Sequence, residues 1–151
     1  LTLWTKKFNR PMDNLPQSLK DLFLYSNTFN RNLDHLPSSL ISLRLQLNEI
    51  NSSLKSLPNS LKCFTFNCAK FNSTLDYLPK NLHTLCIDDY SFNKKINQLP
   101  KALCRLEIMS CAFDKPLDKL PNKLKTFVLS ESYTLPLNHL PESIQTVDRM
   151  F

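Results

Sequence analysis

The sequence predicts a β-rich solenoid with one short parallel strand per repeat, an extended or 3₁₀ convex side and little or no α-helix. Three observations predict it. Leu-Pro recurs at Pro16, Pro37, Pro58, Pro79, Pro100, Pro121 and Pro141, a period of 21 residues five times and then 20. Apolar residues hold fixed places against that proline: Leu19, Leu40 and their equivalents three after it, Leu22, Leu43, Phe64 and Leu85 six after, and Leu24, Leu45, Phe66 and Ile87 eight after. An aromatic ring (Phe8, Phe29, Phe71, Phe92, Phe113, Tyr133; Ile50 in one unit) stands eight before it. Self-similarity this regular fixes the architecture ahead of any local propensity.

Within each unit the alternation of Leu43-Arg44-Leu45 and its equivalents has the period of two that marks a strand. Thr65, Thr84, Thr126 and Val128 among the intervening positions suit a pleated surface. Next comes a loop ending on Phe-Asn. The rings are spaced as a stacked internal ladder, and the repeated Asn9, Asn30, Asn51, Asn72 and Asn93 are expected to satisfy backbone groups exposed by the bend. The Leu-Pro-x-x-Leu step follows; proline fixes its own torsion and donates no hydrogen bond, so it suits a turn on the convex side. The chain holds no glycine, so any left-handed turn residue is expected to be Asn, Asp or Ser. In the last unit Arg149 takes an apolar strand position, as a terminal repeat facing water requires, and Asp148-Arg149-Met150-Phe151 is read as the end of the array. Leu1 and Leu3 fall inside a unit whose proline is absent, so residues 1–151, one repeat array of about seven units, are read as the C-terminal portion of a longer protein.

Composition narrows the function. The charge of +6 is spread through every unit rather than gathered in a basic stripe, which speaks against nucleic acid as a partner. Weak polyanion binding stays open as an alternative, and would show as steeply salt-dependent retention. The five cysteines, Cys63, Cys68, Cys86, Cys104 and Cys111, share no offset and form no Cys-x-x-Cys pair, so reduced thiols are expected, with no metal site and no cofactor. No apolar run is long enough to cross a membrane, and the sequons at Asn51 and Asn72 match chance in a chain rich in Asn and Ser. His35, His83 and His139 lack a Ser or Cys partner in any nucleophile motif, Asp88-Asp89 opposite Arg105 reads as a surface charge cluster, and a phosphate loop needs glycine. An enzyme is not expected.

The Leu-x-x-Leu-x-Leu pattern resembles a leucine-rich repeat, and Asn27 and Asn48 reach its customary Asn, replaced later by Ala69, Tyr90, Cys111 and Ser132. The fuller pattern, clearest in Phe71-Asn72…Leu75…Leu78-Pro79 and Phe92-Asn93…Ile96…Leu99-Pro100, resembles the FNIP repeat of amoebal and giant-virus proteins, over essentially the whole chain. That resemblance implies a non-enzymatic, intracellular binding array in the host-cell cytoplasm. It would be the arm that selects a protein substrate, joined through an F-box, absent from these residues, to cullin-type ubiquitin ligase components. A standalone scaffold holding a host protein without ubiquitin machinery is the other reading.

A repeat array offers its partner the concave sheet, through the side chains between the core leucines. Those positions hold Asp21, Phe23, Tyr25, Arg44, Gln46, Asn67, Asp88, Arg105, Glu107, Met109 and Val128, among others. Aromatic and Arg side chains dominate interface energetics. Phe23, Tyr25 and Arg44 with Trp4 near the same edge are therefore the expected partner-binding patch, extended by Gln46, Asp88, Arg105 and Glu107.

Overall fold

The computed structural model describes residues 1–150; Phe151, the last residue of the stretch expected to end the array, lies outside the described residues. Eight strands, β1 (Thr2–Trp4), β2 (Asp21–Ser26), β3 (Ser42–Ile50), β4 (Cys63–Phe71), β5 (Thr84–Asp88), β6 (Arg105–Ile108), β7 (Thr126–Ser130) and β8 (Thr146–Met150), form one sheet in sequence order, every neighbour parallel. The repeat sets the register. Leu22 pairs with Leu43, Leu43 with Phe64, Phe64 with Leu85 and Leu85 with Leu106, each one unit on. Stacked side chains of one kind thus form columns, and the inner columns from Leu43 to Phe127 are almost wholly buried.

The convex side is made of tight turns rather than helix. In every unit the amide three after the repeat proline donates to that proline's carbonyl, at 3.0 Å from Leu40 to Pro37 and 3.1 Å from Ile144 to Pro141. The next amide bonds to the unit before, Lys62 to Ile41 and His83 to Lys62 at 2.8 Å, so the backbone ladder wraps round the coil. Among the described residues none has a positive φ. The expectation that Asn, Asp or Ser would stand in for glycine at left-handed positions is therefore corrected: an i→i+3 turn led by proline needs only negative φ, so glycine is dispensable.

The Asn that follows each ring also works differently from expectation. Asn9 Oδ1 accepts the backbone N–H of Asn30 at 3.1 Å, Asn72 Nδ2 donates to Asn51 Oδ1 at 2.7 Å, and Asn93 Oδ1 accepts the N–H of Asp114 at 3.1 Å. The bonds run from one unit to the next, a surface ladder tying turns together. They leave the bend itself to other residues.

Those residues sit in a buried column ten after each proline: Ser26, Leu47, Cys68, Asp89 and Ser110, with Ser130 in the shortened last interval. Where the column holds Ser or Asp, its oxygen accepts the amide two residues on: Thr28 to Ser26 at 3.2 Å, Ser91 to Asp89 at 2.8 Å, Ala112 to Ser110 at 3.3 Å and Ser132 to Ser130 at 3.3 Å. That bond bends the chain, and the strand stops at or just before it. Leu47 and Cys68 cannot make it, so β3 and β4 run on for nine residues, carrying the extra pairs Glu49–Lys70 and Ile50–Phe71.

Ser26 and Ser110 hydroxyls also donate back to the preceding unit, to the carbonyls of Phe8 at 2.7 Å and Phe92 at 2.9 Å. Serine can therefore do at position 89 what Asp89 does now. We expect Asp89→Ser to leave the melting temperature nearly unchanged. Asp89→Ala strands the Ser91 amide and should cost about 1–2 kcal/mol. Paired thermal melts decide this, and equal melting of the two variants would contradict the strand-stop role.

Candidate interaction face

The side chains that point away from the core form three columns across the sheet. The register Thr2–Phe23–Arg44–Thr65–Cys86–Glu107 gives one, Trp4–Tyr25–Gln46–Asn67–Asp88 another, and Asp21–Ser42–Cys63–Thr84–Arg105 the third. Every expected patch residue thus lies on one face, but in two groups. At one end Trp4, 68% exposed, packs edge-on against Phe23 (5.6 Å between centroids, 69° between planes) and tilted against Tyr25 (5.0 Å, 35°). Phe23 and Tyr25 are half-buried because Trp4 and the next strand cover them, while Arg44, paired in register with Phe23, is exposed and Gln46 flanks Tyr25. A shallow hollow of about 510 Å³, lined by Thr2, Phe23, Arg44, Thr65 and Thr84, opens beside the rings.

Three strands on lies a polar group. Asn67 Nδ2 donates to Asp88 Oδ2 at 2.7 Å, Cys86 Sγ to Glu107 Oε2 at 3.2 Å and Arg105 Nε to Glu107 Oε1 at 2.6 Å. Arg105 therefore belongs to Glu107, two residues along its own strand, and not to the Asp88-Asp89 pair that the sequence set opposite it. Asp89 is not on this face at all. Alternation turns it inward, fully buried, where Cys68 Sγ lies 3.5 Å from its Oδ2. Val128 is a second correction. Expected to be exposed on the outward face, it is 1% exposed, although its register position lies between outward-facing Glu107 and Asp148.

The thiol of Cys86 is pushed up to about 12, first by burial, then by its hydrogen bond to the Glu107 carboxylate and by the charges of Glu107 and Asp88, against an opposing pull from Arg44. Burial and the adjacent Asp89 carboxylate push Cys68 up as well. A thiol held above its ordinary 9.0 contributes stability that is complete below pH 9 and is lost as pH rises from there toward the folded value. Between about pH 8 and about pH 10.5, wild type should therefore lose more of its melting temperature than Cys86→Ser, whose hydroxyl keeps the bond to Glu107 without ionising. Equal losses would remove Cys86 as the source. Exposed Cys111 should alkylate much faster than Cys86 at neutral pH.

Two features were not read from the sequence. One is the buried strand-stop column. The other is a groove of about 660 Å³ on the Leu-Pro edge, floored by Leu57, Leu78, Pro79, Leu99 and Pro100 and walled by Tyr77, Lys80 and Lys101, with Lys55 Nζ 4.2 Å from the Tyr77 ring centre. The repeating Leu-Pro carried a signal for the floor; the lysines, scattered along the chain, carried none. His35 and His139 are exposed on turns, and His83 is exposed just before β5. Among the described residues no cluster of His, Cys, Asp and Glu could hold a metal ion, and no helix is long and apolar enough to cross a membrane.

No family model matches the chain, and no curated protein matches it significantly. Among solved structures, the giant-virus protein CroV588, described as a novel circular LRR protein structure, superposes over 91% of this chain with a TM-score of 0.55 at 24% sequence identity. The chain spans 28% of that protein's length. The likeness shows a leucine-rich-repeat-like solenoid.

Proposed function

We propose that the chain is a non-catalytic protein-recognition array that reads its partner through the outer face of its sheet. In this reading it is an FNIP-type array, the substrate-selecting arm of an F-box-type ubiquitin ligase adaptor working in the host-cell cytoplasm. The observation that carries the recognition role is the convergence of Trp4, Phe23 and Tyr25, from two strands, into one aromatic cluster beside exposed Arg44. Trp, Tyr and Arg are the residue types that supply binding energy at interfaces. The ligase role rests on the seven Leu-Pro units, four of them carrying Phe-Asn, and on the inter-unit Asn ladder they build.

The test is affinity purification of the intact parent protein from amoebal lysate, beside a form carrying Phe23→Ala, Tyr25→Ala and Arg44→Ala. Recovery of cullin-type ligase subunits with both forms, and of a further protein with the wild type alone, is the expected result. Loss of no protein in the mutant would sink the recognition face. A partner recovered without ligase subunits would leave a standalone scaffold.

A further inference from the structure

Resting on that reading, we infer that the sheet face takes a basic segment of a partner protein, seated with an apolar or aromatic residue on the Trp4 cluster and with its Lys or Arg residues over Asp88. The argument begins from charge. The chain carries +6, yet the outward strand positions hold four carboxylates, Asp21, Asp88, Glu107 and Asp148, against two guanidinium groups, Arg44 and Arg105, a net −2. The face thus has the opposite sign to the molecule, whose excess positive charge sits on turns and edges. An inverted local field of this kind selects partners by sign.

Within the face the carboxylates differ. Glu107 is satisfied on both oxygens, by Arg105 and Cys86, whereas Asp88 has only Asn67 on one oxygen and keeps the other free for a cation. The raised Cys86 thiol lies in the same negative field. Arg44 stands between the rings and Asp88, and repels a cation from the aromatic end, so the segment has one orientation. From β2 to β5 is three strand spacings, ~14 Å, and to β6 about 19 Å, which an extended chain crosses in about four and about six residues. The rings of the cluster touch one another, so they form an apolar platform and not a cage round a cation.

The test is fluorescence anisotropy with the full chain and a labelled extended peptide bearing one Trp anchor and lysines about four and about six residues beyond it. A peptide with glutamates in place of the lysines is the control. The lysine peptide should bind and the glutamate peptide should not. Asp88→Lys should weaken binding roughly tenfold or more, and Trp4→Ala should weaken it too. Lys80→Glu, on the Leu-Pro edge, should leave it unchanged. Equal binding of the two peptides, or indifference to Asp88→Lys, overturns the proposal. If neither peptide binds while the triple-alanine form still loses its cellular partner, the basic segment is wrong and the recognition face stands; if neither peptide binds and no partner is lost, both fall.

Discussion

Leu85→Asp should unfold the middle of the array. Leu85 is fully buried in β5, in register with Phe64 on one side and Leu106 on the other, and no cation lies in that inner column from Leu22 to Phe127. A carboxylate placed there loses its hydration and gains nothing in exchange, a cost of several kcal/mol on the order of the whole stability margin of a domain. Because each unit contacts only its neighbours, the loss is local before it is global. Hydrogen exchange should show β4, β5 and β6 opening first, while β2 and β3 hold at lower denaturant. Arg44→Ala removes an exposed side chain from the opposite face and should move stability by no more than about 0.5 kcal/mol. Were the two variants to melt alike, the assignment of inner and outer faces would be wrong, and with it the interaction face.

That assignment was the most legible part of the chain, for a plain physical reason. A strand side chain has two directions, and seven copies of an apolar-x-apolar step in fixed phase leave one assignment that buries the apolar set. Residues judged one unit at a time were less legible. Val128 occupies an outward position yet is 1% exposed, because burial depends on neighbouring units, which no single-unit pattern contains. Asp89 follows Asp88 in sequence and invites reading the two as a pair; the pleat puts one on the face and the other in the core. The strand-stop column was missed because the leucine-rich-repeat likeness draws attention to the next position, Asn27 and Asn48, while the side chains that bend the chain stand one residue earlier, at Ser26, Asp89 and Ser110.

The candidate patch divides in the same way. Its membership followed from alternation, and Trp4, Phe23, Tyr25, Arg44, Gln46, Asp88, Arg105 and Glu107 do share a face. Its internal order did not follow. The contact of Trp4 with both aromatic neighbours, the pairing of Arg105 with Glu107 and the free oxygen of Asp88 depend on rotamers and on the register between units. The division of the face into an apolar end and an acidic end is a property of the assembled sheet.

Phe92→Ala should be the costliest truncation on the far side of the core, at about 3–5 kcal/mol. Phe92 is 1% exposed, stacks on Phe113 at 5.8 Å with planes 17° apart, tilts against Phe71 at 5.7 Å and meets Phe66 edge-on at 6.5 Å. It is the middle rung of a ladder that runs on through Phe113 to Tyr133, so its removal opens a cavity beneath two loops at once. Ile50 holds the equivalent place two units earlier at 2% exposure, which shows that the site accepts a β-branched side chain. Phe92→Ile should therefore lose only roughly 1–2 kcal/mol, the transfer and packing of the missing ring atoms. Ring stacking itself is isolated by a double-mutant cycle of Phe92→Ile with Phe113→Ile, where a coupling of about 0.5–1.5 kcal/mol is expected. A coupling near zero would mean that the rings act as bulk alone and that the aromatic phase of the repeat is incidental. Neither variant touches the sheet face, so both, while folded, should bind the lysine peptide as wild type does. A loss of binding in step with the loss of stability would show instead that the face is held in shape by the ladder behind it.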